Sequence, residues 1–172
     1  MNARSTRRAD ALPPARSHEL ASAELAVTFL EGVVRFETTL WNRVDRHLTA
    51  AGMPGLGTVM ALRMLQRYRS EGRVQDLSRA LSITIGAASK LVDRLERDGL
   101  ATRRPHPDDR RSSLIMLTAA GEQTAQDATT VIEHVVRDTF PDPAATSEAI
   151  EVFAGLQLAL DQSESTTKEI SA

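Results

Sequence analysis

The chain has 172 residues, of which 41% are hydrophobic and 26% charged, with a formal net charge of -2. That is enough for one domain with a real core and short for two. Cysteine is absent, which excludes disulfides, thiolate metal sites and thiol redox sensing. No apolar run approaches the roughly 18 residues that would cross a bilayer. The charge is unevenly spread: nine Arg/Lys stand against six Asp/Glu from Arg73 to Arg111, whereas two basic residues stand against ten acidic ones from Ser112 onward. One end of the molecule therefore suits a polyanion and the other does not.

Residues 1–17 read as a disordered basic tail, with Arg4, Arg7, Arg8 and Arg16 against Asp10 alone and Pro13-Pro14 interrupting any periodicity. From His18 to about Ala51 the pattern is helical, since Ala26, Phe29, Leu30, Val33, Phe36, Leu40, Trp41, Val44 and Leu48 recur at steps of three and four. Gly52 closes this helix. Some thirty residues is long for a helix in a small monomeric domain, so its apolar face suggests a partner surface.

A second helix is expected from about Leu56 to Arg69, closed by Gly72, and a third from about Val74 to Leu81, burying Leu77, Ala80 and Leu81. After the short turn Ser82-Ile83-Thr84, with Thr84 as N-cap, a fourth helix covers Ile85 to Asp98 and stops at Gly99. Its inward stripe is Ala88, Leu91, Val92 and Leu95. Leu100–Arg104 and Ser112–Leu117 read as strands of a hairpin joined by a Pro/Asp-rich turn. Thr118 caps a fifth helix to about Phe140, Pro141-Asp142-Pro143 breaks it, and a sixth runs from about Ala145 to Leu160. Residues 162–172 read as a polar tail.

The fourth helix and the hairpin carry the chemistry. Gly86 and Ala87 are small enough for a close approach to base edges, and Ser89 can donate or accept a hydrogen bond. Lys90 and Arg94, one turn apart, reach bases or phosphates. Arg97 is expected to pair with Asp93 at i, i+4, which would withdraw it from DNA. Arg110 and Arg111 at the hairpin tip suit the concentrated negative potential of a minor groove. Asp109 cannot face DNA favourably and is better employed holding a neighbouring arginine. Arg103 and Arg104 should alternate faces, with at least one seeing the DNA backbone. His106 either adds a minor-groove contact or simply fills the turn. Arginine clusters are more often plain solvated surface, and winged helices also bind proteins. The conjunction of small outward residues, cations beyond them and an arginine-tipped hairpin decides for DNA.

These residues resemble the MarR family of bacterial transcription regulators. The resemblance rests on the leucine-rich third helix, on Val92-Asp93-Arg94-Leu95-Glu96-Arg97-Asp98-Gly99-Leu100, on the wing sequence Asp109-Arg110-Arg111, and on Leu117-Thr118-Ala119-Ala120-Gly121. It implies a mainly α fold of about six helices with a small β-hairpin wing, assembled as an intertwined homodimer. Residues 18–52 and 119–161 would be its dimerisation helices and 53–118 its winged helix-turn-helix lobe. It also implies a cytoplasmic, nucleoid-associated repressor of a near-palindromic operator, released by a small aromatic or phenolic ligand. In the family pattern, the aspartate matching Asp109 pairs with wing arginines and the arginine matching Arg111 enters the minor groove. Thr84, Gly86, Ala87, Ser89, Lys90 and Arg94 are then the recognition-helix candidates, and Arg104, His106, Asp109, Arg110 and Arg111 the wing candidates.

Trp41 is expected in the core or dimer interface, and less readily in an effector pocket. Arg63 could meet an anionic ligand, although a solvated arginine is the plainer reading. His18, His47, His106 and His134 show no i, i+4 spacing for a metal. No cofactor and no enzymatic activity are expected, since no glycine-rich phosphate loop or supported catalytic set is present. A winged helix that activates transcription, or one that binds only protein, remains a competing reading.

Overall fold

The computed structural model describes residues 14–68, 72–107 and 112–170, with side chains for 22–68, 72–107 and 112–163. The elements in order are α1 (Pro14–Ala50), α2 (Leu56–Arg67), α3 (Val74–Ala80), α4 (Ile85–Arg97), β1 (Ala101–Pro105), β2 (Ser113–Leu117), α5 (Ala119–Thr139) and α6 (Pro143–Ile170). Among the described residues, six helices and one antiparallel hairpin match the expected architecture, and both strands fall within a residue of their expected limits. Helix α1 starts four residues earlier than expected. Helix α6 runs ten residues past Leu160: the polar stretch after it lacks glycine and proline, and Gln, Glu and Lys are good helix formers. Helix α2 stops at Arg67, while Arg69 lies outside the described residues.

The chain divides into two units, Met1–Asn42 and Arg43–Ala172. In the first, the α1 side chains Leu25, Val27, Phe29, Leu30, Val33, Val34, Phe36 and Trp41 are all exposed. In the second, a core forms from Ala61, Leu62 and Leu65 of α2, Leu77 of α3, Ala88, Val92 and Leu95 of α4, Leu100, Ala101 and Ile115 of the wing, and Ala125 of α5. Each leucine or isoleucine so covered contributes about 1.5–3 kcal/mol relative to exposure. Helix α6 stays outside this core: Ile150, Val152, Phe153, Leu156, Leu158 and Leu160 are exposed.

The helix ends follow local chemistry. Gly52 adopts φ +70°, and the Met53 N–H donates to the Leu48 carbonyl at 2.9 Å, which ends α1 as a left-handed glycine cap does. Gly55, before α2, has no side chain to cap with. Asp45 of α1 fills the role instead, its Oδ1 accepting the Leu56 N–H at 2.7 Å. Gly72 does not close α2 as expected. Its carbonyl accepts the Ile115 N–H at 2.8 Å, adding a third bridging backbone beside β2.

Candidate nucleic-acid interface

Helix α4 is set by the turn before it. Ser82 takes φ +50°, its N–H reaching Arg79, while Ser78 Oγ donates to the Ile83 carbonyl at 2.6 Å. Thr84 then caps α4 as expected, its Oγ1 accepting the Ala87 N–H at 3.2 Å. With Ala88, Val92 and Leu95 buried, the opposite face is forced outward. Gly86, Ala87, Lys90 and Arg94 are exposed, and Ser89 is half-buried. The side chains of Lys90, Arg94 and Arg97 have no hydrogen-bond or ion-pair partner among the described residues.

Asp93 pairs with Arg103 of β1 rather than with Arg97, at 2.8 Å. Glu96 completes the clasp: its carboxylate accepts from the Arg103 guanidinium and from the Arg103 N–H, the latter at 2.9 Å. Arg103 can do this because it faces α4, on the side of the hairpin that carries buried Ile115, its register partner. Its neighbour Arg104 is therefore on the other face, exposed and unpaired among the described residues. Of the two strand arginines, Arg103 fixes the wing to α4 and Arg104 faces solvent.

His106 closes the hairpin through its N–H, which donates to the Ser112 carbonyl at 3.1 Å, and its ring Nε2 meets the Arg73 guanidinium. The turn end of β1 is thus tied to the start of α3, where the Asp76 carboxylate accepts the Arg73 N–H at 3.0 Å. Asp109, Arg110 and Arg111 lie outside the described residues. The two clasps, Arg103 with Asp93 and Glu96, and Arg73 with His106, were missed in the sequence because neither follows a helical spacing.

Arg63 is neither solvated nor free: half-buried, its guanidinium donates to Thr129 Oγ1 on α5. Trp41 belongs to the first unit and Arg63 to the second. An open groove of about 450 Å³ on the second unit is lined by His47 of α1 and by Thr130, Val131, Glu133, His134, Val135 and Arg137 of α5; neither Trp41 nor Arg63 lines it. Among the described residues no group of three metal-ligating side chains converges, and no helix is long and apolar enough to cross a membrane.

A capped helix pair, an outward cationic face and a hairpin clasped beside it define a winged helix-turn-helix protein. Residues 57–113 match the model of the MarR family, and over that lobe the chain is similar to it. The fold is similar to that of a MarR-family regulator from Rhodococcus sp. RHA1, with 18% identity, a TM-score of 0.68, and coverage of 77% of this chain and 93% of that one. It is also similar to CouR from Rhodococcus jostii RHA1 bound to p-coumaroyl-CoA, with 21% identity, a TM-score of 0.64, and coverage of 74% and 88%. A mutant MarR from E. coli complexed with operator DNA gives 16% identity, a TM-score of 0.67, and coverage of 76% and 95%. No curated protein matches the chain.

Proposed function

We propose that this protein is a homodimeric repressor that binds a near-palindromic operator through α4 and the wing and leaves it when a small aromatic ligand binds. The observation that carries the reading is the outward face of α4, where Lys90 and Arg94 stand exposed and unpaired among the described residues beyond the small Gly86 and Ala87. Cations with no internal partner, on a helix whose other face is locked in a core, suit phosphate and base-edge contacts. Arg104 extends the same field along the wing, and Arg110 and Arg111 would carry it into the minor groove. Clasped as it is, Arg103 positions the wing instead of touching DNA.

The dimer is supported by uncovered apolar faces on α1, from Leu25 to Trp41, and on α6, from Ile150 to Leu160. Faces of that length are costly to leave in water. A two-fold dimer presents two recognition helices, so its half-sites would lie about one helical turn apart, roughly 34–36 Å. The ligand class is favoured by the complex of the similarly folded CouR with p-coumaroyl-CoA.

A fluorescence-anisotropy titration against the DNA upstream of the protein's own gene, run at several salt concentrations and repeated with aromatic acids and acyl thioesters, tests the reading. Binding that falls linearly on a log–log salt plot is expected, with release by at least one aromatic compound. Absence of salt-sensitive binding to any duplex would return the chain to the protein-binding class.

A further inference from the structure

Of the large apolar side chains described between residues 53 and 118, Tyr68 and Ile85 alone are exposed, Tyr68 by 37% and Ile85 by 58%. Ile85 is the first residue of α4. The cap from Thr84 fixes that first turn, so the side chain is held on a rigid element. Its neighbours along the turn are slight: nothing lies within 4 Å of where a Cβ at Gly86 would stand, and Ala87 offers one methyl. Ile85 is consequently the bulkiest group on the turn that leads the recognition helix, one turn before Ser89 on the same edge.

An isoleucine cannot exchange hydrogen bonds with a base. Pressed on a donor or acceptor edge it would strip water and give nothing back. The C5 methyl of thymine is the one apolar feature that a base pair shows in the major groove, and it loses nothing by such a contact. We propose that Ile85 reads a thymine methyl in each operator half-site, which makes it a specificity-determining residue beside the cationic contacts. The inference rests on the DNA-binding reading above.

The probe is the duplex that the full-length protein enriches from a random pool, with each thymine replaced singly by deoxyuridine, which removes the methyl and keeps the base pairing. At one thymine per half-site the wild-type protein should bind about fourfold more weakly after replacement, the equivalent of one buried methyl group. Ile85→Ala should lose a similar factor on the thymine duplex and be indifferent to deoxyuridine there. Ile85→Val should keep most of the discrimination, and both variants should melt with the wild type. Equal wild-type binding at every replaced thymine, discrimination retained in Ile85→Ala, or an enriched duplex without a fixed thymine in its half-sites overturns the assignment. Enrichment of no duplex at all overturns the DNA-binding reading itself, and this assignment with it.

Discussion

Gly121 stands directly against the backbone of Leu100: a Cβ added at Gly121 would lie 2.0 Å from the Leu100 carbonyl oxygen. That oxygen is already committed, accepting the Thr118 N–H at 3.1 Å. Thr118 in turn donates through Oγ1 to the Gly99 carbonyl at 2.7 Å and accepts the Gly121 N–H at 3.0 Å. The first turn of α5 is therefore seated on the backbone that ends α4 and begins β1. Gly121→Ala must push that turn away, and backbone cannot yield as a flexible side chain would. The expected cost is about 1–3 kcal/mol, the range for overpacking a filled site, read as a lower midpoint in urea.

Ser82 holds φ +50° in the turn between α3 and α4. A left-handed conformation costs an L-residue about 1–2 kcal/mol, and glycine escapes this while giving back about 0.5–1 kcal/mol through its freer unfolded chain. Ser82→Gly should therefore raise the melting temperature slightly, and Ser82→Val should lower it, because a β-branched side chain is least tolerated there. Thermal unfolding of both variants checks the sign. A lower melting temperature for the glycine variant would mean that the turn is not strained.

Asp45 caps α2 from a different helix, and no residue at the α2 N-terminus duplicates it. Asp45→Ala leaves the Leu56 N–H without its acceptor, at a cost of about 1 kcal/mol, the usual value of an N-cap. Asp45→Asn, which keeps an acceptor oxygen, should recover most of it. Urea unfolding of the pair separates the hydrogen bond from the charge.

What could be read in the sequence depended on range. Thr84 and Thr118 were legible as caps because a cap lies within three residues of its partner. The buried stripe Ala88, Leu91, Val92 and Leu95 was legible because periodicity reports one face of one helix; of these, Leu91 is half-buried and the rest are buried. Arg103 was not, since its two acids sit on another element and compete with a local i, i+4 alternative for Asp93. Gly72 looked like a helix stop by position, yet it serves the sheet across a loop closure. Ile85 continues the i, i+3 spacing to Ala88, so nothing in the pattern said that it would be uncovered.

Arg103 and Arg104 are adjacent, but should respond differently to removal. Arg104→Ala, like Lys90→Ala, should reduce the slope of log affinity against log salt by about 1 per protomer if each meets one phosphate. Arg103→Ala should leave the slope alone and lower stability instead, by no more than about 1 kcal/mol, since the pairs with Asp93 and Glu96 are partly exposed and screened. Salt titrations of the three variants against one duplex decide this. A changed slope in Arg103→Ala would make that residue a DNA contact.

Arg111 is the sharpest test of the wing. The hairpin that carries it is held to α4 by Arg103, in the middle of β1, and to the start of α3 by His106, just past the end of β1, so its strands have a fixed position beside α4. An arginine in a narrow minor groove gains from the concentrated negative potential there, whatever the local bases. Arg111→Ala should therefore weaken binding by about 1–3 kcal/mol, the scale of a good arginine contact, and leave the melting temperature unchanged. The loss should be similar on operator variants altered in the major-groove half-sites, and larger where the flanking minor groove is A·T-rich and narrow. Gel-shift titration of Arg111→Ala on both kinds of duplex measures it, and an unchanged affinity across salt concentrations would remove Arg111 from the interface.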